Sequence, residues 1–153
     1  KAQADLYNKC IDMFLADIDL CIHPECKCCF ESVAPDGSRL EGPRGRFVNP
    51  GHSIEGAWFM MNEAEYRGDD ALMQKALQLL DWSFELGWDD ADQGIQYFAD
   101  IEGKPISQLE WDMRLWWPHC EALIAMIKAY RITGKPEYLE KFQMVHDYTF
   151  YFF

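Results

Sequence analysis

A histidine and a glutamate stand three residues apart in the segment Asn49-Pro50-Gly51-His52-Ser53-Ile54-Glu55. On a helix that spacing puts His52 and Glu55 on one face, where a carboxylate can orient an imidazole and fix its tautomer. A pair held in this way can shuttle a proton. The same spacing also suits a plain cap in which Glu55 satisfies first-turn amides, and both readings stay open. A second segment, Trp116-Trp117-Pro118-His119-Cys120-Glu121, sets two indoles beside His119 and Glu121. Aromatic faces next to polar groups suit a sugar, whose C–H face stacks while its hydroxyls take hydrogen bonds. Trp-rich helices also build cores, so this segment too has a structural alternative. Gly51 and Pro118 permit close backbone approach or a sharp entry at these two points.

Cys21, His23, Cys26, Cys28 and Cys29 form the densest set of soft ligands. They crowd one loop and one strand, where successive side chains alternate faces, whereas a structural zinc site draws on two separated ligand pairs. No metal site is expected. His146 lies near the apolar stripe of a helix and reads as packed.

The two histidine-bearing segments are positioned by a repeat. A shift of 66 positions carries Glu55 onto Glu121, Met60 onto Met126, Gly68 onto Gly134, Lys75 onto Lys141, Asp81 onto Asp147 and Phe84 onto Phe150. It also carries Leu6 onto Leu72, Lys9 onto Lys75 and the turn Asp36-Gly37 onto Glu102-Gly103,. Asn49 caps a helix with Pro50 at its first position, and Gly68 supplies the left-handed residue that ends it. The next helix starts at Asp69 or Asp70, with Met73, Ala76, Leu77, Leu80 and Phe84 on one stripe,. A matching pair runs from about Trp117 to Thr133 and from Pro136 onward, and a first helix covers roughly Ala2 to Asp19. Cys28 to Leu40 and Gly94 to Ile106 read as β-hairpins. AWFMM and ALIAMI are apolar on nearly every side, which marks the helices from Pro50 and Trp117 as inner ones,. Inner helix, outer helix and hairpin together describe one sector of a ring. Six sectors would take roughly 400 residues, so the whole chain, 1–153, is expected to be part of a larger barrel, with sectors missing on both sides.

Composition narrows the partners. With 26 Asp and Glu against 14 Lys and Arg, the formal charge is −12, and no basic cluster is present to neutralise a phosphate backbone,. Nucleic acid is excluded on that ground, while a small neutral substrate is compatible. The longest aliphatic stretch, Ala122 to Ile127, is far short of the roughly 18 residues a membrane span needs,. Six cysteines without a signal-type segment point to reduced thiols and a cytoplasmic protein,. The chain opens on Lys1 instead of Met, so an upstream piece is expected.

RGRFVNPGHSIEGAWFMM, GIQYFADIEGKP and QLEWDMRLWWPHCEALIAM, in this order and spacing, resemble the N-acylglucosamine 2-epimerase family, also described as renin-binding proteins, from about Phe30 onward. The resemblance implies an (α/α)6 barrel, an all-α toroid of helical hairpins with short β-hairpins in its loops, of which about half would lie outside this chain. It implies interconversion of N-acetylglucosamine and N-acetylmannosamine by removing and returning the C2 proton of the opened sugar through an enediolate. Related mannose isomerases and cellobiose 2-epimerases share the ring. His52 then matches an acid/base residue, Glu55 the carboxylate beside it, and Glu121 a residue of the same pocket. Trp116, Trp117 and His119 match the sugar-facing segment.

The resemblance also puts a second catalytic histidine after Phe153 and a substrate-binding arginine before Lys1. Epimerisation needs proton access to both faces of a planar intermediate, so the 153-residue chain alone is expected to be inactive. Nucleotides such as ATP activate some members, but no glycine-rich phosphate loop is visible here, and no obligatory cofactor is expected. Homodimers are common among the relatives. A helical surface for a protein such as renin, an aldose–ketose isomerase, and a glycoside hydrolase with two carboxylates roughly 5 to 9.5 Å apart are the alternatives.

Overall fold

The computed structural model describes residues 2–153. Five helices carry the fold: α1 (Ala2–Cys21), α2 (Pro50–Arg67), α3 (Asp70–Gly87), α4 (Trp116–Thr133) and α5 (Pro136–Phe152). Four two-residue strands lie between them: β1 (Ile22–His23), β2 (Cys28–Cys29), β3 (Phe47–Val48) and β4 (Ala99–Asp100).

The repeat holds at the level of single residues. α2 and α4 are each 18 residues long, and the same 66-residue shift carries both ends of one onto the other. It also carries the start of α3 onto the start of α5. The stops agree because their chemistry agrees: Gly68 and Gly134 end the inner helices with φ of 64° and 68°, a region open to glycine,. The Asn49 carboxamide oxygen accepts from the His52 amide at 3.1 Å, and Asp69 caps α3 by accepting from Leu72 at 3.0 Å,. α1 runs two residues past the expected Asp19.

α2 packs between α3 and α4, and α5 lies on α4. The main core joins buried residues of these four helices, including Met60, Met61, Leu80, Met126, Tyr138 and Val145. Ala57, Ala64, Ala122, Ala125 and Ala129 are fully or almost fully buried on α2 and α4. Small side chains at these positions let the two inner helices approach their neighbours closely. Enclosure is nonetheless incomplete, because Phe59 on α2 and Ile124 and Ile127 on α4 remain exposed. Successive outer helices are linked by equivalent lysines. Lys75 meets Asp19 of α1 at 2.8 Å, and Lys141 meets Asp81 of α3 at 3.0 Å.

The connections differ from simple hairpins. The turn at Gly37 forms, with a bridge between Val33 and Arg39, but β2 pairs with β1, directly after α1. The turn at Gly103 forms as well, yet β4 pairs with β3 from the previous connection, Phe47 opposite Asp100 and Val48 opposite Ala99. The cause lies in side chains far apart in sequence. Val48 and Ala99 bury together with Cys28 and Phe30 in a small second core, and Arg46 donates to Asp100 at 2.8 Å. The offset also governs pairing, since Ile22 opposes Cys29 just as Trp88 opposes Ile95.

All six cysteines are free, and burial pushes the Cys28 and Cys29 thiols up to about 12, so both are neutral,. Among the described residues no helix is long and apolar enough to cross a membrane.

Candidate active site

His52 occupies the first turn of α2, fixed there by the Asn49 cap and the preset backbone of Pro50,. In a helix the Cα–Cβ bonds tilt toward the N-terminus, so a first-turn side chain projects beyond the helix end toward the incoming loop. Glu31 waits there. Its two carboxylate oxygens lie 3.1 and 3.2 Å from His52 Nδ1. Nδ1–H donates to the carboxylate, which leaves Nε2 as the nitrogen able to take or give a proton. The Glu31 hydrogen bond raises the imidazole above its ordinary value; burial opposes the shift, and the charges of Glu31 and Glu55 add to it,. The His52 side chain is 53% exposed, open to a reacting molecule.

The expected His52–Glu55 pairing is therefore corrected: the hydrogen-bond partner is Glu31, because the ring leans off the helix end while Glu55 sits one turn further in. Glu55 acts through its charge alone.

Trp117 forms a wall beside the imidazole, with ring centroids 5.2 Å apart and planes inclined by 31°. This approach depends on Gly51, where a Cβ would lie 2.7 Å from Trp117 Cη2. Tyr97 meets Trp117 edge-on at 6.2 Å. Four residues after Trp117, on the same face of α4, Glu121 accepts from Trp58 Nε1 of α2 at 2.7 Å,. Trp117 and Glu121 thus both face α2, and the two inner helices bring an imidazole, an indole and a carboxylate to one side.

His119 departs from expectation. It is fully buried, its Nδ1–H donates to the Leu115 carbonyl at 2.6 Å, and its Nε2 accepts from the Ile95 amide at 2.9 Å. Tyr148 of α5 stacks on it at 4.8 Å. With both nitrogens used inside the chain, no polar atom remains for a sugar, and the residue is a structural tie between α4 and the loop before it. Desolvation holds its imidazole below the ordinary value. Trp116 is 64% exposed and turns away from the packed interior. His146 packs against Phe142 and Phe150.

Sequence reasoning missed Glu31, Trp58 and Tyr97. Phe30, just past β2, is buried in the small loop core, and Glu31 follows it in a bend that turns its carboxylate to His52; the apolar-then-acidic order is present in CCFESV. The repeat held another clue, because Tyr97 is the 66-residue equivalent of Glu31. Among the described residues no three His, Cys, Asp or Glu side chains converge as a metal site.

A model of the N-acylglucosamine 2-epimerase (GlcNAc 2-epimerase) family matches residues 10–153. N-acylglucosamine 2-epimerase of Bos taurus is 44% identical over 124 residues, covering 80% of this chain and 29% of the relative. The chain thus spans less than a third of that relative's length. A sugar epimerase from a ruminal bacterium superimposes with a TM-score of 0.69 at 18% identity, over 94% of this chain and 35% of its own. A D-mannose isomerase superimposes with a TM-score of 0.59 at 20% identity, over 67% of this chain and 25% of its own. At such identities the likeness establishes the fold, an α/α toroid.

Proposed function

Because the chain belongs to the N-acylglucosamine 2-epimerase family, we propose that the intact protein is a cytoplasmic isomerase that interconverts N-acetylglucosamine and N-acetylmannosamine. The observation that carries this reading is a half-exposed imidazole whose Nδ1 is anchored by a carboxylate, beside an indole wall.

In the proposed reaction the aldehyde of the opened sugar acidifies the C2 proton. His52 Nε2 takes that proton from one face, leaving a planar enediolate-type intermediate. A second group, outside this chain, returns a proton to the opposite face and inverts C2. The positive end of α2 lies at His52 and eases the developing negative charge, as a well-placed donor does by about 3 kcal/mol in other enzymes. Trp117 stacks on the sugar's C–H face. Glu121 accepts a Trp58 hydrogen bond through one oxygen, and its other oxygen receives a sugar hydroxyl. Replacing His52 with Ala in the intact enzyme lowers kcat by about a hundredfold or more, the usual worth of general acid–base catalysis. Near wild-type turnover in that variant overturns the role.

The likeness to a D-mannose isomerase supports a second reading, in which the substrate is an aldose with a hydroxyl on C2, whose enediolate is reprotonated at C1 to give a ketose. Reaction in heavy water separates the two: deuterium enters C2 in an epimerisation and C1 in an isomerisation.

A further inference from the structure

Resting on His52 as the proton-transfer group, we propose that Glu31 is its positioning residue, a loop carboxylate that selects the reactive nitrogen and sets the basicity of the ring. Both Glu31 oxygens lie at hydrogen-bond distance from Nδ1, so the ring is gripped on the side away from the reacting nitrogen.

The carboxylate arrives on a fixed backbone. Phe30, beside it, is 2% exposed, and its amide donates to the Cys21 carbonyl at 2.9 Å. The Glu31 side chain is itself only 24% exposed. Its charge also answers a specific problem. The N-terminus of a helix carries partial positive charge and disfavours an imidazolium in the first turn. Around His52, Glu31 from the loop and Glu55 from α2 supply negative charge, and α4 presents the uncharged indole of Trp117. The loop carboxylate makes the hydrogen bond and so dominates.

The neighbouring sector supplies an internal control. Sixty-six residues on, His52 becomes Pro118 and Glu31 becomes Tyr97, which faces Trp117 instead. The carboxylate and the imidazole occur in the same sector and are replaced together in the next.

The test uses the intact enzyme with Glu31→Gln, which keeps an acceptor for Nδ1–H and removes the charge, and with Glu31→Asp. The pH dependence of kcat/KM is followed alongside an NMR titration of the His52 ring. In Glu31→Gln the acid limb of the rate profile and the ring's titration midpoint move together to lower pH. The kcat falls by about tenfold or more while KM stays within about threefold, as loss of tuned basicity requires. Glu31→Asp restores part of both. An unmoved ring titration in folded Glu31→Gln overturns the proposal. A titration that moves while rate and rate profile do not supports the contact and overturns the proton-transfer reading beneath it.

Discussion

His52 and His119 are the same side chain in similar local sequences, and the fold gives them opposite chemistry. Each stands within two residues after a proline and within three before a glutamate, at the start of an inner helix. One meets a carboxylate and stays half-open; the other meets a carbonyl, a backbone amide and a stacked tyrosine and is sealed. His119→Ala leaves the Ile95 amide unpaired inside the protein, which costs about 1–3 kcal/mol before any cavity is counted. A lowered denaturation midpoint with KM otherwise unchanged is the expected result, and a KM effect without a stability effect would restore His119 to the sugar site. Their pH signatures run in opposite directions. His119 is depressed in the folded state, so its share of stability is present above the ordinary imidazole value of about 6.5 and is lost as pH falls below it,. His52 is raised, so its share is present below about 6.5 and is lost as pH climbs through the folded value,. Denaturation midpoints measured from pH 5 to 8, a span that brackets the ordinary imidazole value of about 6.5, in the wild type, His119→Gln and His52→Gln separate the two. This contrast was illegible in the sequence, because burial of His119 comes from Ile95 and Tyr148, neither of them near it along the chain.

Among the elements, the helices were legible because their limits are local. Asn49-Pro50 and Gly68 settle within a few residues where α2 begins and ends, and the repeat copies the glycine stop into α4 as Gly134, while α4 begins after Leu115 without a side-chain cap. The pairing of β3 with β4 was not legible, since it depends on a small core and an ion pair assembled from two connections. The contact of α2 with α4 turns on Gly51. A methyl there meets the Trp117 ring at 2.7 Å and Pro118 Cβ at 2.9 Å, and neither group yields easily. Gly51→Ala is therefore expected to lose about 1–3 kcal/mol through overpacking, outweighing any gain in helix propensity. A denaturant titration reads this directly. A neutral or stabilising result would mean that Trp117 is free to swing away from His52.

For the whole molecule, the repeat shows which surfaces are out of the ordinary. Trp58 and Met61 of α2 are largely covered, whereas their equivalents on α4, Ile124 and Ile127, are 43% and 36% exposed. On the other flank Phe14 and Phe59 are exposed around an apolar groove between α1 and α2, while their equivalents Leu80 and Ala125 are fully buried. Bare positions whose counterparts are sealed are the expected faces of a ring sector, and the chain covers 29% of its bovine relative,. The 153-residue chain by itself is expected to bind a hydrophobic dye strongly, and Ile124→Lys to reduce that binding with little change in stability,. Alone it is expected to show no turnover of either N-acetylated sugar. Measurable epimerisation by the isolated chain would require a second proton donor among its own residues.

The ladder between β3 and β4 has a bearing on protein engineering. Each rim segment is half of a joint whose other half belongs to the next segment along, so neither can be grafted from a homologue by itself. Chimeras that exchange residues 39–48 and 95–104 in concert should retain solubility, and those that swap a single segment should misassemble.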